Sequence, residues 1–277
     1  MKYHAPPSVE AAAALLAGAS EARIIAGGMS LVPVMKHGLA APSDLVDLGR
    51  IAGLAGITFA RDGVVIGAMT RHATVASELA ARLPSVARLA AGIGDPQVRH
   101  RGTIGGSIAN NDPAADYPAA CLAIGTSIVT SRREIAPADF FTGFFSTALA
   151  PAEIVTAVHF AIPERAAYAK FANQASRFAL TGVFVAQIAG AVRVAVAGAG
   201  AQGVFRAHAI ETALARRFAP EAIEPGMVSP VGLIADLHAS AAYRAQLIVA
   251  MARRAVADCL GIAHRRPLRH GGALAYE

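Results

Sequence analysis

Two short stretches carry residue types able to hold an anion: "AGGMS" at Ala26–Ser30 and "TIGGS" at Thr103–Ser107. Glycine has no Cβ, so it takes up positive φ and lets a ligand approach the backbone. Successive backbone N–H groups in such turns form anion-binding concavities. Ser30, Thr103 and Ser107 add hydroxyl groups beside the glycines. A diphosphate needs many donors and little bulk, and two such loops can grip one from both sides. Each loop in isolation reads more readily as an ordinary strand-to-helix turn. The polar run "NNDPAAD", Asn110–Asp116, follows the second loop directly and favours the binding reading. On that reading a side chain at Gly28 or Gly105 blocks the ligand, whereas one at Gly200 does not.

A competing signal lies at Gly198-x-Gly200-x-x-Gly203, after a strand pattern and before a helical one. On paper this is a dinucleotide fingerprint, which requires an acidic residue about 20 positions on, at the end of a second parallel strand. Glu221 and Glu224 stand near that distance, but in "RRFAPEAIEPGMVSP", which is proline-rich and no buried strand. Too little chain follows to complete a doubly wound sheet. The glycines read better as a strand end, and an NAD-dependent dehydrogenase stays as the alternative.

Other chemistries fare worse. No G-x-S-x-G elbow is present, and Asp112, Asp116 and Asp139 do not specify a catalytic pair. No general base or other catalytic residue is assigned. The nine histidines are dispersed, and two cysteines, Cys121 and Cys259, are too few for an iron–sulfur cluster or a four-thiolate zinc site. No metal site is expected. Both cysteines read as buried free thiols in a reducing cytoplasm.

The elements that must position these loops follow from periodicity and punctuation. Ser8 caps a helix that Gly18 ends, so "AAAALLAGAS" is not a signal peptide. "ARIIAGG" is a strand entering the first glycine turn, "SLVPVMKHGL" a short helix, and Asp44–Gly49 a strand. Two β-branched runs flank Arg61-Asp62-Gly63, a hairpin signal. "TVASELAARLPSVARLAAGIG" is helical and broken at Pro84. "PAACLAIGTSIVTSRREI" gives a buried helix or strand and then a hairpin, and "AEIVTAVHFAIP" a strand. The region from Tyr168 to Gly200 reads as a helix followed by a strand pair about Ala189–Ala191. Helices close the chain at Phe205–Arg217 and Ala241–Leu260. A domain boundary near 165 divides the chain into 1–165 and 166–277.

The 277 residues, 55% of them hydrophobic and 16% charged, describe a folded protein of one large or two modest domains. The net charge is +6, but Lys and Arg are scattered. The denser spots, among them Arg99–Arg101 and His264–His270, lack interleaved aromatics, which argues against nucleic acid. A positive surface suits an anionic cofactor or an acidic partner. No run is long and apolar enough to span a membrane.

"AGGMSLVPVMK", "RHRGTIGGSIANNDPAADYPAA", "AEIVTAVHFAIP" and "YAKFANQASRFALTGVFVA", in that order, resemble the FAD-binding medium subunit of molybdenum hydroxylases, of the carbon monoxide dehydrogenase and xanthine dehydrogenase type. The resemblance runs along nearly the whole chain, and the two glycine loops at this separation are its most specific part. It implies an α+β fold: a two-lobed FAD-binding domain of the vanillyl-alcohol oxidase type (PCMH type), then a smaller α+β CO-dehydrogenase-flavoprotein C-terminal domain. It implies that Ala26, Gly27, Gly28, Met29, Ser30 and Leu31, with Thr103, Ile104, Gly105, Gly106, Ser107 and Asn110, wrap the FAD. Asp116 is implied as a further contact, and Ile154, Val155 and Lys170 as neighbours of the flavin. Met29 stands where the family often has Gln or His, and "ASRFAL" is shorter than the R-x-x-x-D stretch of some members. The implied partners are a large molybdenum-cofactor subunit and a small subunit with two [2Fe–2S] clusters, as a dimer of heterotrimers in the cytoplasm. Electrons would pass from the clusters through FAD to an external acceptor. A flavin-free assembly subunit keeping the same fold is the remaining alternative.

Overall fold

Ser8 opens the first helix as its sequence requires: its hydroxyl accepts the Ala11 N–H at 3.2 Å, and Gly18 follows the last turn. In the computed structural model, residues 1–61 and 63–262 are described. Asp62 and the basic cluster His264–His270 lie outside the described residues. The first lobe is a parallel three-stranded sheet. Strands β1 (Lys2–His4) and β2 (Ala22–Ile25) flank β3 (Asp44–Asp47), with helices α1 (Val9–Ala17) and α2 (Leu31–Lys36) in the connections. Val46, Leu48, Leu54 and Ala12 form its small core.

The second lobe begins with the expected hairpin, β4 (Ile57–Phe59) and β5 (Gly63–Gly67). Helices α3 (His72–Glu78) and α4 (Pro84–Ala91) follow, with Pro84 starting the second one, where a missing N–H costs nothing. Then come α5 (Pro96–Arg101), α6 (Ile104–Asn110) and α7 (Tyr117–Ile124). Strands β6 (Gly125–Thr130) and β7 (Glu134–Ile135), helix α8 (Pro137–Phe140), and the short hairpin of β8 (Phe141–Gly143) and β9 (Ser146–Thr147) lead to β10 (Val155–Ala161). The lobe's sheet is antiparallel, in the order β4-β5-β10-β6-β7.

The remaining chain forms an antiparallel sheet of β11 (Arg165–Ala172), β12 (Ala179–Ile188), β13 (Ala191–Ala197) and β14 (Phe205–Arg206), with helices α9 (His208–Arg216) and α10 (Ala241–Cys259). Its strands alternate with period two, as a sheet covered on both faces requires. Phe184, Ala186, Ala195 and Ala197 face the main core around α7, while Val183, Val185, Val194 and Val196 face α9 and α10. Helix α7, "YPAACLAI", is buried nearly all round because its small side chains let both sheets approach it. The mixed helix-and-sheet architecture is the α+β class expected.

One element differs from the sequence reading. The stretch expected to be helical after Tyr168 is strand β11, paired along its length with β12. Alanine-rich "RAAYAKFA" fits either period, and the long β12 partner decides it. Cys121 is buried, as expected, and burial raises its thiol pKa well above the usual value. Cys259 is half-buried, its thiol pushed up to about 12 mainly by burial.

Candidate functional site

Strand β2 delivers the chain into the first glycine loop. Gly28 turns it with φ +74°, a conformation glycine adopts at no steric cost. Helix α2 then starts at Leu31 with Ser30 before it, and Ser30 makes no side-chain capping bond. Among the described residues, no acceptor receives the backbone N–H groups of Gly27, Gly28, Met29, Ser30 or Leu31. Five successive donors are thus left unpaired on a partly exposed turn, with the Ser30 hydroxyl beside them. Such a turn is an anion nest, and it fits a diphosphate. Met29, 40% exposed, offers it no polar side chain.

The second loop lies against the first. A Cβ on Gly27 would fall 2.2 Å from the Arg101 carbonyl oxygen and 2.7 Å from the Gly102 Cα, and one on Gly106 would lie 3.6 Å from the Ala26 Cβ. The structure therefore brings Ala26–Leu31 and Thr103–Ser107 together. Their donors differ, however. The Ile104 N–H goes to the Thr70 carbonyl, that of Gly105 to Ala68, that of Gly106 to the Thr103 hydroxyl, and that of Ser107 to the Thr103 carbonyl. The second loop is stitched to the 68–72 segment, and its glycines serve packing. A Cβ on Gly105 would sit 2.4 Å from the Ala68 Cβ and 2.8 Å from its Cα. A side chain there therefore collides with the fold before any ligand is involved, which corrects the reason expected from sequence.

His72 supports this loop from below, a residue that sequence reasoning missed. Its backbone N–H bonds the Gly102 carbonyl, and a Cβ on Gly102 would lie 2.6 Å from its Nε2. Its Nδ1 meets the buried Tyr117 hydroxyl at 3.2 Å. Burial, and secondarily Arg99, lowers the His72 pKa to about 4, so the ring is neutral at pH 7. A lone histidine at a helix start gives no sequence signal of such a contact.

Asn110 ends α6, partly exposed. Asp116 lies deeper, at the start of α7. Its carboxylate is buried and accepts from the Tyr168 hydroxyl and from Lys170 at 3.0 Å, and Lys170 also donates to the Gly92 carbonyl at 2.8 Å. Burial raises the Asp116 pKa, while Lys170 and Tyr168 oppose the rise. Asp116 and Lys170, expected at the cofactor, hold each other and join the second lobe to β11. Ile154 is buried with Val46 and Leu54, and Val155 belongs to the main core. Neither side chain faces the nest openly.

The Gly198–Gly203 segment is of another kind. It leaves β13, which is antiparallel to both its neighbours, so no parallel β-α-β unit exists there. Alternate N–H groups in it are taken rather than left as an unbroken free row: Gly198 bonds Pro113, Ala201 bonds Gly232, and Gly203 bonds Gly200. A Cβ on Gly200 would lie 2.3 Å from the Gly203 carbonyl, so a side chain there strains the fold. Among the described residues, no group of three or more His, Cys, Asp or Glu side chains is placed to hold a metal, and no helix is long and apolar enough to cross a membrane.

Residues 1–164 match the family model described as FAD binding domain in molybdopterin dehydrogenase. The nicotine 6-hydroxylase medium subunit of Paenarthrobacter nicotinovorans is 36% identical, over 93% of this chain and 96% of that protein. The carbon monoxide dehydrogenase medium chain of Hydrogenophaga pseudoflava is 35% identical, over 92% and 95%. Among solved structures, a chain of the reconstituted CO dehydrogenase from Oligotropha carboxidovorans superimposes with a TM-score of 0.86 at 32% identity, covering 95% of this chain and 98% of that one.

Proposed function

This chain belongs to the FAD-binding family of molybdopterin dehydrogenases, and on that premise we propose that the Gly27–Leu31 nest holds the FAD diphosphate. The chain is a FAD-binding oxidoreductase subunit of a heteromeric molybdenum hydroxylase, a medium subunit working with a large and a small one. Bound FAD supplies a centre that exchanges electrons singly or in pairs, which suits a relay between one-electron clusters and an external acceptor.

The observation that carries the site assignment is the row of unpaired N–H groups from Gly27 to Leu31. They donate to the phosphate oxygens, and the Ser30 hydroxyl adds one more bond. Ala26 and Gly106 keep the two loops close. Thr103, Ile104 and Gly105 anchor the second loop, which leaves the Ser107 hydroxyl and Asn110 to the ligand's flank. We assign Asp116 and Lys170 to holding the two sheets in register beside the cofactor, and Ile154 and Val155 to the apolar floor beneath it. No residue is assigned as a general base. The assembly is a dimer of heterotrimers, and two free thiols suit a reducing cytoplasm.

The visible spectrum of the purified chain and of its complex tests this reading. Flavin absorption at about 450 nm is expected. A colourless chain that binds NADH would move the function to a nicotinamide dehydrogenase. One that binds neither would make it an assembly subunit.

A further inference from the structure

We propose that Arg101 and Arg71 form a cationic rim that steers the FAD diphosphate into the Gly27–Leu31 nest. These two side chains set how fast the cofactor loads, and the nest sets how long it stays. The proposal rests on the FAD reading above. Arg101 ends α5 directly beside the nest: its carbonyl oxygen is the atom that a Cβ on Gly27 would meet at 2.2 Å. Arg71 stands one chain further out, where its backbone bridges that of Thr103 in antiparallel fashion. Both residues are exposed. Among the described residues, no hydrogen bond or ion pair engages either guanidinium group.

The remaining charges on the adjoining elements are already engaged. Arg99, two residues before Arg101 on the same helix, donates to the carbonyls of Ile93 and Gly94, each at 3.0 Å, and so fastens α5 to the end of α4. Asp95 accepts the Val98 N–H at 2.8 Å as the cap of α5. Asp47 lies opposite Ile25, where β2 enters the first glycine loop, and it accepts the Gly49 N–H at 2.8 Å and the Tyr3 hydroxyl. Neither carboxylate makes an ion pair with Arg101 or Arg71. Two uncompensated cations are thus left beside a row of free backbone donors.

Their exposure decides what they do. A long, untethered guanidinium in water loses side-chain freedom when it is fixed on a ligand, and its net attraction at close range is small. Its field still reaches an approaching dianion over a Debye length, about 8 Å at physiological salt. Charges on a rim therefore act on association and on its salt dependence, whereas groups that lose their solvent around the bound ligand act on dissociation. The nest donors from Gly27 to Leu31 are of the second kind, and Arg101 and Arg71 are of the first. The charge is placed at the end of the cleft where the cofactor carries its own charge.

The test uses the complex stripped of FAD, mixed rapidly with free FAD while the flavin fluorescence is followed. Association and dissociation rates are measured from about 0.02 to 0.5 M ionic strength. Wild-type association should slow about tenfold across that range. At the low end Arg101→Gln should load about fivefold more slowly and Arg71→Gln about twofold, with dissociation within about twofold of the wild type. Both changes are at exposed side chains, so thermal unfolding should match the wild type. Arg101→Lys keeps the charge and should load normally. Arg216→Gln removes the same charge from the exposed end of α9, which packs on the face of its sheet turned away from the main core, and should also load normally. A wild-type rate indifferent to salt overturns the proposal. So do folded Arg101→Gln and Arg71→Gln proteins that load like the wild type, and an Arg216→Gln protein slowed as much as either. Variants altered in dissociation alone also overturn it, since the arginines would then grip bound FAD instead of steering it in. A wild-type complex that takes up no FAD sinks the reading on which the proposal stands.

Discussion

Along Ala26–Leu31 five consecutive N–H groups face no acceptor among the described residues, whereas around Gly198–Gly203 the chain is stitched to Pro113, Gly232 and itself. Both segments are glycine-rich, and the second is the more familiar motif. In the second the glycines permit close backbone crossings: a Cβ on Gly198 would fall 2.3 Å from the Ala179 carbonyl. In the first, Gly27 does the same against Arg101, but the turn built on Gly28 leaves donors free. Glycine spacing alone therefore does not separate a turn with an unbroken row of free donors from one tied to distant segments; the tertiary hydrogen bonds do.

The sharpest way to break this comparison acts on the buttress. Gly105→Val should cost about 3 kcal/mol or more of stability, because the added atoms overlap Ala68 and the second loop cannot move without losing its bonds to the 68–72 segment. Thermal unfolding and soluble yield read this. A variant that melts like the wild type but lacks FAD would restore ligand blocking as the reason for glycine there.

Next in size is a pH effect located under the same loop. The His72 pKa is depressed to about 4 from 6.5 by burial. Between those values the unfolded chain binds a proton that the native one does not, so stability falls as pH drops from about 6.5 to 4, by about 3 kcal/mol, and levels off below. Denaturation midpoints across that range should lose this slope in His72→Gln. An unchanged slope would place the acid sensitivity elsewhere.

The mildest structural change compares the two segments directly. Ser30 and Gln202 are both exposed, so a glutamate at either is tolerated by the fold. Ser30→Glu puts a carboxylate at the nest and should weaken FAD binding about 100-fold or more through like-charge repulsion. Gln202→Glu should leave it unchanged. Equal FAD titrations for both variants would remove the distinction between the segments.

Much of the fold was legible because local signals agreed. The Ser8 cap, the hairpin about Arg61–Gly63, the break at Pro84 and the strand Val155–Ala161 each follow from chemistry within a few residues. Strand β11 was not legible, since "RAAYAKFA" carries no period strong enough to oppose a helix. Its state was set by pairing with β12, which begins seven residues after β11 ends. The pair of glycine loops could be picked out together from their residue types. The split between a donor loop and a buttress could not, because it depends on bonds from Ile104 and Gly105 to residues some 35 positions earlier. His72 was invisible for the same reason.

By itself the sequence determined the family, the α+β class and where the two glycine loops stand in the chain, because those rest on residue types and their order. The tertiary structure alone decided which backbone donors remain free, which glycines are needed for packing, and that Asp116 and Lys170 pair with each other. Those outcomes depend on which groups from distant segments meet, and hydrogen bonding and excluded volume register only once the chain has brought them together.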